Sequence, residues 1–309
     1  MKDIFVNLKR FDVPRDKGGV CPSGDASRWI EEVVEKSVEF GIGSKDDVSV
    51  VYMVPEALII PAQKKLEKYP EELRKGLKVG CQSVFRDNIK PGKNFGAFTT
   101  NLPAASAYQI GCRWSIIGHS EERRDKQEII ASYEPAWNAN DDTREKCLSA
   151  VDSLINREVM SAFDQGMDVL LCIGETAEER GEGSFEEQQV CIKKALEGQL
   201  KRSLKGVEQY ISERKIVIGY EPIWAIGPGK TPPGKDYIAF VSKFIKDSVK
   251  EQFGFEMEVV YGGGLKEENA AMIASIDTID GGLVALTRFT GEIGFYVEDL
   301  KIIIDKYLK

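Results

Sequence analysis

The 309-residue chain is predicted to be an α/β protein, a single (β/α)8-barrel domain running over residues 1–309. Two observations carry that expectation. Eight short apolar runs alternate with longer amphipathic stretches from end to end, and several runs are unbroken β-branched or leucine sequence, as suits strands buried on both faces. The length also fits, since such barrels commonly fill about 250 residues and more with added segments.

In chain order, strands are expected over Ile4–Leu8, Val48–Val54, Leu77–Gln82, Trp114–Ile117, Asp168–Ile173, Lys215–Tyr220, Glu258–Tyr261 and Gly282–Leu286. Helices fill the intervals. Ser184-Phe185-Glu186-Glu187 reads as a capping box, in which a serine hydroxyl and a glutamate three residues later satisfy free backbone N–H groups at a helix start. Asp236–Gln252 places Ile238, Val241 and Ile245 on one face, and a last helix is expected over Gly294–Lys309. An open, doubly wound sheet would have the same alternation, and counting does not separate the two. No G-x-G-x-x-G follows the first strand, so a dinucleotide-binding sheet has no positive support.

Composition narrows the function classes. Apolar residues make up 42% and charged residues 30%, ordinary for a protein with a large core. The net charge of −8 argues against a nucleic-acid partner, which usually demands a basic face, whereas local amides and a lysine can still hold an anionic small molecule. Six cysteines without a C-x-x-C pair, beside one histidine, make a Cys/His zinc site improbable, so no metal is expected. The scattered thiols suit a reducing, cytoplasmic setting. No apolar run approaches the roughly 18 residues that span a bilayer, and Met1-Lys2-Asp3-Ile4-Phe5-Val6 enters a strand without a leader-type apolar region.

Polar residues gather where strands end: Asn7 and Lys9, Gln82, His119, Glu175, Glu221 and Gly262–Gly264. In barrels that end is the active-site face. His119, the only histidine, lies in Ile116-Ile117-Gly118-His119-Ser120-Glu121-Glu122-Arg123, directly after a buried strand and before a helix start. Backbone N–H groups there oppose a positive ring and favour a neutral imidazole that donates a hydrogen bond. The other constellation, Tyr220-Glu221-Pro222-Ile223-Trp224-Ala225-Ile226-Gly227-Pro228-Gly229-Lys230-Thr231, sets a carboxylate before a proline- and glycine-bearing stretch with the make-up of a lid over Trp224–Lys230. Gly229-Lys230-Thr231 mimics the tail of a nucleotide-binding loop, but Trp224 stands where that motif needs glycine.

Four of these segments closely resemble the triosephosphate isomerase family: Ile117-Gly118-His119-Ser120-Glu121, Cys172-Ile173-Gly174-Glu175-Thr176, Tyr220–Gly227 and Tyr261-Gly262-Gly263. They occur in the family's order at strand ends four to seven. Asn7-Leu8-Lys9 resembles the family's first-strand Asn-x-Lys, and Gly96-Ala97-Phe98-Thr99 its dimer-forming third loop. The resemblance implies a TIM barrel and an aldose–ketose isomerase acting on dihydroxyacetone phosphate and glyceraldehyde 3-phosphate through an enediolate. It implies Glu221 as the base that takes the carbon-bound proton and His119 as the group that polarises the carbonyl. Lys9 would supply positive charge, Asn7 a hydrogen bond, and Glu121 would orient its neighbours. Gly227 would offer a phosphate-binding amide. No cofactor is implied; a small phosphorylated sugar and a second copy of the chain are the implied partners.

The sequence departs from that pattern at the phosphate end. Ala285 and Leu286 occupy the positions of the family's paired glycines, Gly264 replaces a serine, and Pro228 replaces a lid residue that keeps its N–H. Glu122 stands where the family has arginine, and Leu8 where it has tryptophan. Arg288 is a candidate substitute anion contact, with an exposed surface charge the preferred reading. Tyr133-Glu134-Pro135-Ala136-Trp137 echoes the lid motif without its continuation, so Glu134 is read as incidental, within a segment near residues 125–150 that reads as an insertion. Cys172 is read as a packed thiol. Two alternatives stay open: isomerisation of a four-carbon sugar phosphate, and a barrel without catalysis that serves as a binding scaffold. Retention of Asn7, Lys9, His119 and Glu221 together argues against the second.

Overall fold

A computed structural model describes residues 1–309 apart from residue 228, so the expectation attached to Pro228 lies outside the described residues. Eight parallel strands close into one barrel in chain order: β1 Lys2–Asn7, β2 Val48–Val54, β3 Leu77–Gln82, β4 Trp114–Ile117, β5 Asp168–Ile173, β6 Ile216–Tyr220, β7 Glu258–Tyr261 and β8 Gly281–Val284. The last strand returns to the first in the register Asp3↔Gly281 to Val6↔Val284. Around it lie α1 Ala26–Glu39, α2 Glu56–Leu66, α3 Glu71–Arg74, α4 Ala104–Gln109, α5 Ser120–Tyr133, α6 Asp141–Asp164, α7 Ala177–Arg180, α8 Phe185–Ser203, α9 Lys235–Phe253, α10 Ala270–Ala274 and α11 Val297–Tyr307.

The unbroken apolar runs have a two-sided explanation. Alternate residues of a strand face opposite ways, so Ile4 and Val6 pack outward against helices while Phe5 packs inward with Val51, Trp114, Leu170, Val217 and Val260. Both faces are buried and mostly apolar, with Asp3, Ser49 and Ser115 among the buried polar exceptions in β1, β2 and β4. Inside the barrel Phe5 meets Trp114 edge-on at 5.1 Å, and Gly80 lets its neighbours close in: a Cβ there would lie 2.5 Å from Met53 Sδ and 2.7 Å from the Trp114 carbonyl oxygen. Truncating one of these inner side chains to alanine costs about 2–5 kcal/mol.

Helix starts follow the side-chain chemistry. Ser184 and Glu187 form the expected capping box at α8, and Ile238, Val241 and Ile245 are fully buried on α9. Asn140 opens α6 by accepting the Thr143 N–H at 3.0 Å, so residues 125–150 form the later part of α5, a turn-rich link and the first turns of α6.

Several boundaries differ from those expected, chiefly in β1, β8 and the last helix, while β6 starts one residue later at Ile216. β1 begins at Lys2 and ends at Asn7, since Lys2 pairs with Val48 while Leu8, although buried, has left the ladder. At the other end of the chain β8 stops at Val284, because the ladder to β1 runs out at Val6. The following residues fold back through an antiparallel bridge between Arg288 and Gly294, and the Tyr296 N–H donates to Thr287 Oγ1 at 2.8 Å. The last helix therefore starts at Val297. Ala285 and Leu286 belong to a loop over the barrel mouth.

Candidate active site

The C-terminal ends of the strands surround a cavity of about 1630 Å³ lined by Asn7, Lys9, His119, Glu121, Glu221, Gly227, Gly264, Ala285 and Leu286, which brings together every expected site residue. The volume exceeds the roughly 300–1,000 Å³ of most small-molecule sites, because it continues sideways past Trp137 and Leu148.

His119 reaches the mouth through a left-handed turn at Gly118 (φ +73°), where a Cβ would lie 2.9 Å from the Cys172 carbonyl oxygen. It caps α5: its Nδ1 accepts the Glu121 N–H at 3.3 Å. An accepting nitrogen carries the lone pair, so the neutral ring bears its proton on Nε2. That nitrogen faces Glu221 Oε1 at 3.2 Å. The orienting bond thus comes from the helix that follows.

Glu221 is 2% exposed at the end of β6. Its carboxylate accepts the Ser120 N–H at 2.9 Å and the Ser120 hydroxyl at 3.1 Å, so the N-terminus of α5 supports a charge that burial alone would make costly. Strand ends five and six approach closely enough that a Cβ on Gly174 would overlap the Glu221 carbonyl. Gln199 locks that contact, its amide exchanging two hydrogen bonds with the Gly174 backbone at 3.1 and 2.8 Å. Beneath it Cys172 is fully buried in the barrel; burial, and then the Glu221 carboxylate, push its thiol well above the ordinary range.

Lys9 adopts φ +39°, a left-handed conformation that costs a non-glycine residue on the order of 1–3 kcal/mol. Side-chain bonds hold it there. Its N–H donates to Asn7 Oδ1 at 3.0 Å, and Gln82 Nε2 donates to the Lys9 carbonyl at 2.8 Å and to the Met53 carbonyl at 3.1 Å. The ammonium meets Glu121 at 2.8 Å. Burial pushes the Glu121 carboxyl up, but the hydrogen bond and charge of Lys9 outweigh it and the net shift is downward.

Glu175, fully buried at the end of β5, fixes the stem of the lid segment. One of its oxygens accepts from the Tyr220 hydroxyl (2.9 Å), Trp224 Nε1 (2.8 Å) and the Tyr237 hydroxyl (2.7 Å). Burial raises its carboxyl above the usual range, against the pull of those three donors. The Arg180 guanidinium lies over the Trp224 ring at 3.9 Å. Past this anchor Ile226 is exposed, and Gly227 (φ +120°) and Gly229 (φ +75°) have open space around them.

The part of the cavity where the resemblance would place a phosphate differs in texture. Gly264, Ala285 and Leu286 line it beside Lys266 and Phe289, with the Lys266 ammonium 4.0 Å from the Phe289 ring centre. Arg288 does not line the cavity; it pairs with Asp299 at 2.8 and 3.2 Å and stacks on Tyr296 at 3.7 Å, a committed surface charge. Glu134 also stays outside, exposed and accepting the Ala136 N–H. Gly96, Ala97 and Thr99 are exposed, Phe98 meets Phe85 edge-on at 5.7 Å, and Phe95 is 87% exposed in a left-handed conformation.

Sequence reading named Gln82 only as a polar strand end, and assigned nothing to Ser120, Tyr237 or Lys266. Ser120 carried a usable signal, being the residue after a helix-capping histidine. Nothing local marks Tyr237 or Lys266. All five cysteines other than Cys191 are buried and none is disulfide-bonded. Among the described residues no helix is long and apolar enough to cross a membrane.

Comparison with known proteins gives a consistent answer. The family model described as triosephosphate isomerase matches residues 30–292. Triosephosphate isomerase from Alkaliphilus metalliredigens is 32% identical over 270 residues, covering 84% of this chain and 91% of that protein. Its counterpart from Chloroherpeton thalassium is 32% identical over 219 residues, covering 70% and 73%. The crystal structure of triosephosphate isomerase from Bartonella henselae superposes with a TM-score of 0.65 at 22% identity, covering 100% of this chain and 99% of that one, a likeness of fold.

Proposed function

Since the chain belongs to the triosephosphate isomerase family, we propose that it interconverts dihydroxyacetone phosphate and glyceraldehyde 3-phosphate, with Glu221 as base and His119 as electrophile. The observation that carries this reading is the buried pair itself: Glu221 Oε1 stands 3.2 Å from the imidazole nitrogen that bears the proton. Glu221 removes the proton from the carbon beside the carbonyl and returns it to the neighbouring carbon. His119 donates its Nε2 proton to the carbonyl oxygen and takes one from the adjacent hydroxyl, so no net proton is consumed. Lys9 and the Asn7 amide offset the negative charge that develops on the enediolate. Glu121 holds Lys9, and its backbone N–H sets the imidazole tautomer. With that charge carried by protein groups, the step needs no metal or organic cofactor.

Lid closure over Trp224–Lys230 excludes water, with Glu175 holding the stem and the Gly227 amide reaching the phosphate. At the other side of the phosphate, the Gly264, Ala285 and Leu286 backbones contribute what glycines and a serine provide in the family pattern, and Lys266 adds a cation. Gly96–Thr99 reaches a second copy of the chain in a homodimer, and residues 125–150 are an insertion that widens the cavity.

A second reading has its own observation. Ala285 and Leu286 stand in place of paired glycines at the proposed phosphate end, and a pocket reshaped there favours a four-carbon ketose phosphate. Turnover of dihydroxyacetone phosphate, glyceraldehyde 3-phosphate and a panel of four-carbon ketose phosphates separates the two. Greater kcat/KM on the three-carbon pair is expected. Preference for a four-carbon ester moves the assignment to the second reading, and no turnover of any ester returns it to a binding scaffold.

A further inference from the structure

Behind His119, outside the groups used above, lies a cluster of three charged side chains, the half-buried Glu122 and Lys126 and the buried Glu158. Glu122 Oε2 accepts the Gly118 N–H at 2.6 Å, while its Oε1 accepts from the Ser83 hydroxyl at 2.7 Å and Lys126 Nζ at 2.8 Å. Lys126 also meets Glu158 Oε1 at 3.0 Å, and Glu158 Oε2 is buried with no donor. A small recess of about 170 Å³ is lined jointly by Lys9, Gln82, Ser83, His119 and Glu122, so the cluster borders the catalytic groups directly.

Two features give this carboxylate an unusual position. Gly118 (φ +73°) and Ser83 (φ +79°) are the left-handed residues at which the chain leaves β4 and β3. Serine has no intrinsic reason to adopt that conformation, and Glu122 holds both turns at once. Gly118 immediately precedes His119. Ser83 begins the connection that carries the exposed Phe95–Thr99 segment.

We propose that Glu122 is a positioning residue that ties the root of the 83–102 connection to His119 through a single carboxylate. The charge balance supports an ionised Glu122. Burial pushes its carboxyl up, but the Lys126 charge and the hydrogen bonds together outweigh it and the net shift is downward. Burial, and then the neighbouring Glu122, push Glu158 up to about 9, so at neutral pH one carboxylate faces one ammonium. Glu122 fixes the ring by fixing the backbone before it, without touching substrate.

The sole histidine of the chain is a reporter that does not depend on turnover. The kinetic arm alone rests on the isomerase reading: if the unaltered protein has no isomerase activity, that reading fails while the imidazole signals still decide the positioning role. In ¹⁵N-labelled full-length protein the unaltered ring is expected to show the Nε2-protonated neutral tautomer. Glu122→Ala is expected to shift or broaden the ring signals and lower kcat about 10–100-fold with KM nearly unchanged, the size of effect a small misplacement of a reacting group produces. Glu122→Gln combined with Lys126→Met is expected to restore both readouts, since the amide oxygen accepts from Gly118, its NH2 donates to Ser83, and no ammonium is stranded. Ser83→Ala removes only the loop arm and is expected to move the same signals less; it decides the matter alone if Glu122→Ala does not fold. A lowered melting temperature with imidazole signals and kcat unchanged in these variants overturns the proposal.

Discussion

The two sides of the barrel mouth are built on different rules. On the side formed by β1, β3, β4, β5 and β6, each polar group has named partners: Ser120 holds Glu221, the Glu121 N–H orients His119, Asn7 and Gln82 hold Lys9, and three donors hold Glu175. On the side formed by the loops after β6, β7 and β8 there are glycines with open space, an alanine, a leucine, and a lysine resting on a phenylalanine ring. The difference teaches where precision is needed. Moving a proton demands side chains fixed to fractions of an ångström, whereas holding a phosphate demands backbone N–H groups and nearby positive charge, which many side chains permit.

The largest expected effect lies on the ordered side. Glu221→Gln should leave the fold and melting temperature near those of the unaltered protein and lower isomerisation by several orders of magnitude. His119→Asn should cost about 10²–10⁴-fold in kcat, read by steady-state kinetics. Comparable losses from Glu134→Gln would break the comparison, because Glu134 lies outside the mouth.

Effects on the open side should fall on KM. Lys266→Met is expected to raise KM for phosphate esters about tenfold with kcat little changed, the scale of one hydrogen bond to a charged group. Arg288→Ala should be silent, its guanidinium being spent on Asp299. Ala285→Gly with Leu286→Gly should lower KM for three-carbon esters by letting phosphate oxygen come within hydrogen-bond reach of the backbone. A loss of activity in that double variant would instead show that these residues shape the site for a larger substrate.

The smallest effect is on stability. Glu158 has a folded carboxyl raised to about 9, against 4.5 as its ordinary value, with Glu122 and Lys126 as the charges facing it. The folded state therefore binds a proton that the unfolded chain releases between those values. Stability from this group is present below about 4.5 and lost as pH rises towards 9. Glu158→Gln keeps a neutral side chain and should flatten that decline, raising the melting temperature relative to the unaltered protein at pH 8–9 by a few degrees, on the order of what 1 kcal/mol provides. An identical decline in the variant would show that Glu158 is ionised throughout.

How much of this was legible in the sequence follows the same division. Six strands match their apolar runs at the C-terminal boundary that matters for the site, or at both ends, because burial on both faces keeps the runs mostly apolar, interrupted only by single residues such as Ser49, Lys78 and Ser115. The expected β8 runs past the observed strand because Ala285-Leu286 continues the apolar run of Gly282-Leu283-Val284 after the ladder to β1 has ended. His119 and Glu221 were visible as polar residues at strand ends inside recognisable segments. Ser120, Gln82 and Glu122 were not given roles, since each acts on a residue distant in sequence: Ser120 on Glu221, Gln82 on Lys9, Glu122 on Ser83. No periodicity records such pairings. The end where the phosphate is proposed to bind is legible only as a set of departures from the family pattern; Lys266 lines the cavity there and Arg288 does not.

The division of labour at the mouth is tested most directly by following solvent deuterium into dihydroxyacetone phosphate in deuterated water, with the unaltered protein, Glu221→Gln and Glu134→Gln side by side. Proton removal by Glu221 requires rapid exchange at the carbon beside the carbonyl in the unaltered protein and in Glu134→Gln, and loss of that exchange by orders of magnitude in Glu221→Gln. Exchange that survives in Glu221→Gln, or disappears in Glu134→Gln, would contradict it.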